Sequence, residues 1–257
     1  MPRLLFALKT VISSGDHDGG TIQEFLREVE VMNRFNGHRN PHFITILAAF
    51  THKGSNYILL PFAESNLREY WRTHTAPLGS PDKVEIGEVR WLSEQILGIA
   101  TALSIMHEER YRHGDIKPEN IVWHDMGPES RGILVVADFG LVLRQSSASA
   151  KFTSMFTGFT PAYRPPECDM EDQRLVSGSL DIWSLGCVYL EMACWMLGGN
   201  EAVEAFAKAR LLSTSLGTTA DTFFEIQRTG PADPGSFRVK PPVVEVQLPK
   251  YPTAVNR

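Results

Sequence analysis

The stretch His113-Gly114-Asp115-Ile116-Lys117-Pro118-Glu119-Asn120, followed by the apolar run Ile121-Val122-Trp123, constrains this chain more than any other. It sets a carboxylate, a cation and an amide at fixed spacing, with a proline between the last two. That set suits phosphoryl transfer. Asp115 can orient an attacking hydroxyl and accept its proton, Lys117 can neutralise charge on the moving phosphoryl group, and the Asn120 amide oxygen can hold a metal ion. A second stretch, Ala137-Asp138-Phe139-Gly140, leaves the apolar run Ile133-Leu134-Val135-Val136. An aspartate leaving a buried strand beside a glycine is placed to ligate Mg²⁺. The plainer alternative for the first stretch is a polar turn joining a helix to a strand.

Together the two stretches resemble the catalytic loop (H-R-D-x-K-x-x-N) and metal loop (D-F-G) of the eukaryotic protein kinases. The resemblance implies an α+β, bilobal fold: a small β-rich N-lobe, truncated here, and a larger, mainly helical C-lobe. The expected boundaries are 1–62 for the partial N-lobe, 63–230 for the C-lobe and 231–257 for a loosely ordered, proline-rich tail.

Composition agrees with a folded domain. The 257 residues are 43% hydrophobic and 21% charged, enough apolar material for a sizeable core. Net charge is −5 with no Lys/Arg run, so nucleic acid and anionic membrane are not the expected partners. Cys168, Cys187 and Cys194 form no CxxC pair, which points to a reducing, intracellular compartment, cytoplasmic or nuclear. The apolar start contains Lys9 and has no small-residue cleavage site, so a signal peptide is not expected. Trp183 to Gly199 is interrupted by Glu191 and reads as a buried core helix rather than a membrane span.

Leu4 to Val11 reads as a strand whose period of two puts Leu5, Ala7, Lys9 and Val11 on one face. A lysine on such a face is costly to bury without a partner. Phe6-Ala7-Leu8-Lys9 resembles the V-A-I-K motif of the family's third strand, which assigns Ala7 and Lys9 to the nucleotide and Lys9 to its phosphates. Ser13 to Gly20 reads as a loop, with Thr21 or a neighbour capping the next helix. Ile22, Phe25, Leu26, Val29 and Met32 fit one side of that helix, with Glu28 on the flank. The stretch looks like the family's helix C, and the resemblance selects Glu28 as the partner of Lys9.

Phe43 to Phe50 and Tyr57 to Leu60 read as two strands around a Lys53-Gly54-Ser55-Asn56 turn. By resemblance Leu60 is the gatekeeper, Pro61-Phe62-Ala63 is the hinge, and the backbone of Pro61 and Ala63 meets the adenine. A short helix is expected from Ser65 to Trp71, then a polar loop from Thr73 to Gly87. The stripe Leu92, Ile96, Ile99, Leu103 and Met106 marks a long core helix.

The hydroxyl-rich segment from Ser146, Ser147, Ser149, Thr153, Ser154 and Thr157 to Thr160 ends in Pro161-Ala162-Tyr163-Arg164-Pro165-Pro166-Glu167. It resembles an activation segment closed by A-P-E. Asp181-Ile182-Trp183-Ser184-Leu185-Gly186 looks like the family's D-x-W-S-x-G helix, in which Ile182, Leu185, Tyr189 and Met192 form an apolar stripe. Glu201 to Leu212 and Phe223 to Ile226 read as helices.

Three departures from the family stand out. Only eight residues precede Lys9, so the glycine-rich hairpin is expected to be absent from this chain. No arginine partner for Glu167 is recognisable. Gly114 stands where the family has the catalytic-loop arginine. The resemblance implies a Ser/Thr protein kinase using ATP and Mg²⁺ on protein substrates: Asp115, Lys117 and Asn120 are catalytic, and Asn120 and Asp138 hold the metal. The alternatives are an impaired pseudokinase scaffold or truncated fragment and a small-molecule phosphotransferase, which shares the H-G-D-x-x-x-x-N loop.

Overall fold

The computed structural model describes residues 4–11, 18–78, 86–144, 160–169, 179–212, 220–227 and 236–245. They form two compact units: Met1–Arg68 with Ser93–Gly114 and Pro118–Gln145, and Glu69–Leu92 with Asp115–Lys117 and Ser146–Arg257. This division follows packing, whereas the boundaries at 62 and 230 follow the linear order of motifs.

In the first unit, β1 (Phe6–Val11), β3 (Ser55–Pro61) and β2 (Ala48–His52) form an antiparallel sheet in the order β1-β3-β2. The turn joining β2 to β3 is shorter than expected, because Lys53 and Gly54 both take positive φ (48° and 79°) and Ser55 already pairs with His52. That is the backbone a two-residue hairpin turn requires. Phe43 to Leu47 does not extend β2. Phe43 instead makes a parallel bridge to Val136.

Helix α1 (Asp18–Phe35) begins before Thr21, so Thr21 lies inside it rather than at its cap. Its buried face is Phe25, Glu28, Val31, Met32 and Phe35, rotated from the expected stripe, and Ile22 and Leu26 are exposed. The rotation brings Glu28 from the flank to the centre of that face. Burying an aromatic or Met side chain contributes roughly 1.5–3 kcal/mol, and Phe35 adds a stacked contact with Phe43 at 4.9 Å.

The long helix α3 (Ile86–Glu108) buries Leu92, Ile99, Leu103 and Met106 as its periodicity predicts. A ribbon of β4 (Ser65–Asn66), β6 (Ile121–His124) and β7 (Ile133–Val136) carries the two motif loops, and β5 (Tyr111–Arg112) pairs with β8 (Leu143–Arg144). The expected helix from Ser65 starts later, as α2 (Leu67–Thr73), because Ser65 and Asn66 pair with Trp123 and Val122.

The second unit is built on α4 (Ser179–Leu212), broken at Gly199 (φ 68°, ψ −167°). By length and composition this helix could cross a membrane. It is instead folded within the unit: Glu191 and Arg210 are buried and paired on either side of the break. Ile182 is exposed, and Leu180, Asp181, Leu185, Val188 and Met192 are buried, so this stripe too is rotated.

Phe223 to Ile226 is not helical. Phe224–Gln227 is strand β9, paired with β10 (Ser236–Val239), and α5 (Pro241–Val244) follows. Residues 236–245 of the expected loose tail are therefore ordered: Lys240 among them is fully buried, and Trp183 packs edge-on against Phe224 and Phe237. The loop Ser13–His17, the hydroxyls from Ser146 to Thr157, and residues 246–257 lie outside the described residues.

Candidate active site

In β1 the alternation leaves Ala7, Lys9 and Val11 less exposed than Phe6, Leu8 and Thr10. Lys9 pairs in register with Ile58, and Ala7 with Leu60. The Lys9 Nζ donates to Glu28 Oε1 at 2.6 Å and to Asp138 Oδ1 at 2.7 Å. Glu28 is only 5% exposed, and the Lys9 ammonium gives its buried carboxylate the oriented, hydrogen-bonded partner that a buried charge requires. Burial alone would lower the Lys9 pKa, but the charges and hydrogen bonds of Glu28 and Asp138 outweigh it and raise the value. For Asp138, burial pushes upward, and the Lys9 ammonium, helped by His113 and the Gly140 N–H, holds the carboxyl below its usual range.

Asp138 owes its position to strained backbone. Its φ is 63°, uncommon for a residue other than glycine. The residue before it is clamped: Ala137 N donates to Asn120 O at 2.9 Å, and the fully buried His113 ring meets Ala137 O at 3.0 Å through Nε2. After it, buried Phe139 packs 5.4 Å from the His113 ring, and Gly140 N reaches Asp138 Oδ1 at 3.4 Å. Asn120 ends a single 3₁₀ turn (Pro118–Asn120), is buried, and joins β6, which pairs with β7 through Ile121 and Val136. The same hairpin thus carries Asn120 at its start and Asp138 just past its end.

Asp115 to Lys117 fall in the second unit. Asp115 Oδ2 lies 2.6 Å from Lys117 Nζ. Lys117 Nζ also donates to Thr160 Oγ1 at 2.8 Å, and the Thr160 hydroxyl donates to Asp115 Oδ1 at 3.3 Å. Both carboxylate oxygens are therefore committed to oriented partners. Ile116, fully buried between them, anchors the backbone.

Pro61 ends β3 opposite Phe6, and Ala63 is half-buried beyond it. This exit is stapled to β6: His124 Nδ1 lies 2.9 Å from Phe62 O, Glu64 N donates to Trp123 O at 3.1 Å, and Asp125 N donates to Glu64 Oε2 at 2.7 Å.

The structure brings Lys9, Glu28 and Asp138 into one cluster and Asp115 and Lys117 into another. Three contributors were not read from the sequence: the Thr160 hydroxyl as a partner of both Asp115 and Lys117, His113 as a clamp on Ala137, and the buried Glu191–Arg210 pair. A glutamate inside the otherwise apolar run from Trp183 to Gly199 was the signal for the last. Gly114 has a physical reason. Its φ is 82°, and a Cβ there would come within 3.0 Å of Leu141 O, so an arginine would be strained.

A model of the protein kinase domain matches residues 3–208. The chain is 29% identical over 204 residues to cyclin-dependent kinase D-1 of Arabidopsis thaliana, covering 79% of this chain and 46% of that protein. It is 29% identical over 235 residues to serine/threonine-protein kinase PknK of Mycobacterium bovis, covering 90% of this chain and 19% of that protein. Over 95 residues it is 42% identical to cyclin-dependent kinase 2 of Caenorhabditis elegans, covering 37% of this chain and 24% of that protein. The chain thus spans half or less of the length of these curated relatives.

Proposed function

The chain belongs to the protein kinase family, and from that premise we propose that it transfers the γ-phosphoryl group of ATP to Ser/Thr hydroxyls of protein substrates. The observation that carries this reading is the Asp115–Lys117–Thr160 triangle, in which a carboxylate, an ammonium and a hydroxyl hold one another within 3.3 Å. In this reading Asp115 accepts the proton of the substrate hydroxyl as its oxygen bonds to the γ-phosphorus. The bond from that phosphorus to the β,γ-bridging oxygen breaks, and ADP leaves with the electron pair. Lys117 offsets negative charge on the transferred group, and Thr160 keeps Lys117 and Asp115 in register. Lys9, oriented by Glu28, binds the α- and β-phosphates. Ala7, Leu60 and the backbone of Pro61 and Ala63 take the adenine.

The donor set fits a Mg²⁺ ion. Asp138 is a carboxylate held ionised beside a cation, and Asn120 adds an amide oxygen. Mg²⁺ prefers such hard oxygens, completed by phosphate oxygens and water. Bound there with ATP, the ion would neutralise phosphate charge. An intracellular location belongs to the same proposal and is supported by three unpaired cysteines.

The test is transfer of labelled γ-phosphate from Mg·ATP to a generic Ser/Thr protein substrate, comparing the chain with Asp115→Ala. Label that disappears with the substitution supports the reading. Nucleotide binding without transfer in either protein overturns it in favour of a pseudokinase scaffold.

A further inference from the structure

Glu191 and Arg210 are each 1% exposed, and their side chains meet at 3.1 Å. Nineteen residues along an unbroken helix would separate them by roughly 28 Å. The break at Gly199 reverses the chain and makes the pair. Two buried charges persist together only with good geometry and further hydrogen bonds, and here both have them. The Tyr163 hydroxyl donates to the second Glu191 oxygen at 2.8 Å. Arg210 Nε donates to Asp221 at 3.0 Å, and its guanidinium lies 4.5 Å from the Phe206 ring centroid and 4.1 Å from that of Phe223. Lys240, fully buried, donates to Arg210 O at 2.9 Å and Ala220 O at 2.7 Å, closing the end of α4.

The network reaches the catalytic triangle through one short turn. Pro161–Tyr163 is a 3₁₀ turn with Thr160 at its N-cap, and Tyr163 N donates to Thr160 O at 3.2 Å. The Tyr163 carbonyl is fixed in its turn by the Ser184 hydroxyl at 2.8 Å. Tyr163 therefore pins one end of the turn, and Thr160 at the other end holds Asp115 and Lys117. Arg210 and Lys240 lie beyond residues 3–208, the part matched by the kinase-domain model.

We infer that Arg210 is a positioning residue: acting through Glu191 and Tyr163, it holds the turn that presents Thr160 to Asp115 and Lys117. Asp221 and Lys240, which hold Arg210, are on this account part of the same positioning network. The inference rests on the proposed kinase activity for its kinetic readout but not for its structural one.

Two variants test it on the full chain. Tyr163→Phe removes a single hydroxyl and keeps the ring, and Arg210→Lys keeps a charge with fewer donors. Each is measured for kcat, for KM of ATP, and for amide hydrogen exchange over residues 160–169 and 18–35. Tyr163→Phe is expected to lower kcat about tenfold with little change in KM for ATP. Exchange should quicken in 160–169 and stay unchanged in 18–35. Arg210→Lys should show the same pattern, more weakly. A folded Tyr163→Phe protein with unchanged kcat and unchanged exchange in 160–169 overturns the inference. If the parent chain transfers no phosphate, the kinase reading fails, and the exchange comparison still decides whether the brace exists.

Discussion

Lys9 and Asp138 stand 129 positions apart in sequence and 2.7 Å apart in the fold, ammonium to carboxylate. The same ammonium is bonded to Glu28 at 2.6 Å, so one cation bridges two acids from different elements. Glu28, on the buried face of α1, is the one that sets where Lys9 points.

Replacing Glu28 by Gln keeps the shape and removes the charge. A hydrogen bond to a charged group is worth about 1.5–3 kcal/mol, or roughly a 10–100-fold effect. We expect kcat/KM for ATP to fall by that factor. Lys9→Met should lose more, on the order of 10²–10³-fold, because on the proposed reading it removes a donor to the phosphates itself. Steady-state kinetics with ATP varied provides the check. Equal kcat/KM for Glu28→Gln and the parent would remove Glu28 from the site.

Thr160 is expected to matter through its hydroxyl alone. Thr160→Val conserves volume and breaks the bonds to Lys117 and Asp115, at 2.8 and 3.3 Å. We expect kcat to drop about 10–100-fold by the same reckoning, while Thr160→Ser stays close to the parent. A Ser variant as poor as the Val variant would show that the methyl group, not the oxygen, is what the site needs.

Much of this site was legible in the sequence because chemistry and chain order coincide there. Asp115, Lys117, Asn120 and Asp138 flank one hairpin, and Lys9 sits on a strand whose alternation is visible in six residues. The face of α1 was legible only approximately. Apolar residues stand on both sides of that helix, so periodicity did not distinguish exposed Ile22 and Leu26 from buried Val31 and Phe35. The helix from Glu201 to Leu212 was legible, but the region after it was opaque for a different reason. Its order rests on long-range charge pairing, Glu191 with Arg210 and Lys240 with two carbonyls, which leaves no periodic trace. Phe224 to Gln227 pairs with a strand centred on Phe237 and Arg238, so its conformation is set by a partner rather than by its own propensity.

At Gly114 the family's arginine is expected to be harmful rather than restorative. Forcing a side chain into positive φ costs about 1–2 kcal/mol, and the Cβ would crowd Leu141 O at 3.0 Å. Gly114→Arg should lower unfolding stability by at least that amount in denaturant titrations. A variant as stable as the parent would show that the backbone at Gly114 readily changes shape.

His42 gives the chain a pH dependence with a defined sign. The residue is buried, and its Nδ1 lies 2.7 Å from Leu134 O on the strand that leads to Asp138. Burial pushes its pKa down, and the Leu134 carbonyl only partly restores it. The unfolded chain, with a histidine pKa near about 6.5, takes up a proton that the folded chain refuses. Stability from this group is therefore complete above that value and is lost as pH falls below it, through the lowered folded-state pKa. Asp138, whose pKa is lowered in the fold, contributes in the same direction but in a separate window, below the ordinary carboxylate pKa. Denaturant midpoints taken between pH 7.5 and 5.5 should therefore drop for the parent and drop less for His42→Asn, whose amide can still donate to Leu134 O. The fit around the ring supplies an independent check. A Cβ on Gly98 would collide with the His42 ring at Nε2, so Gly98→Ala should be strongly destabilising alone and much less so combined with His42→Ala. Additive losses in the double variant would mean that His42 and Gly98 are not in contact.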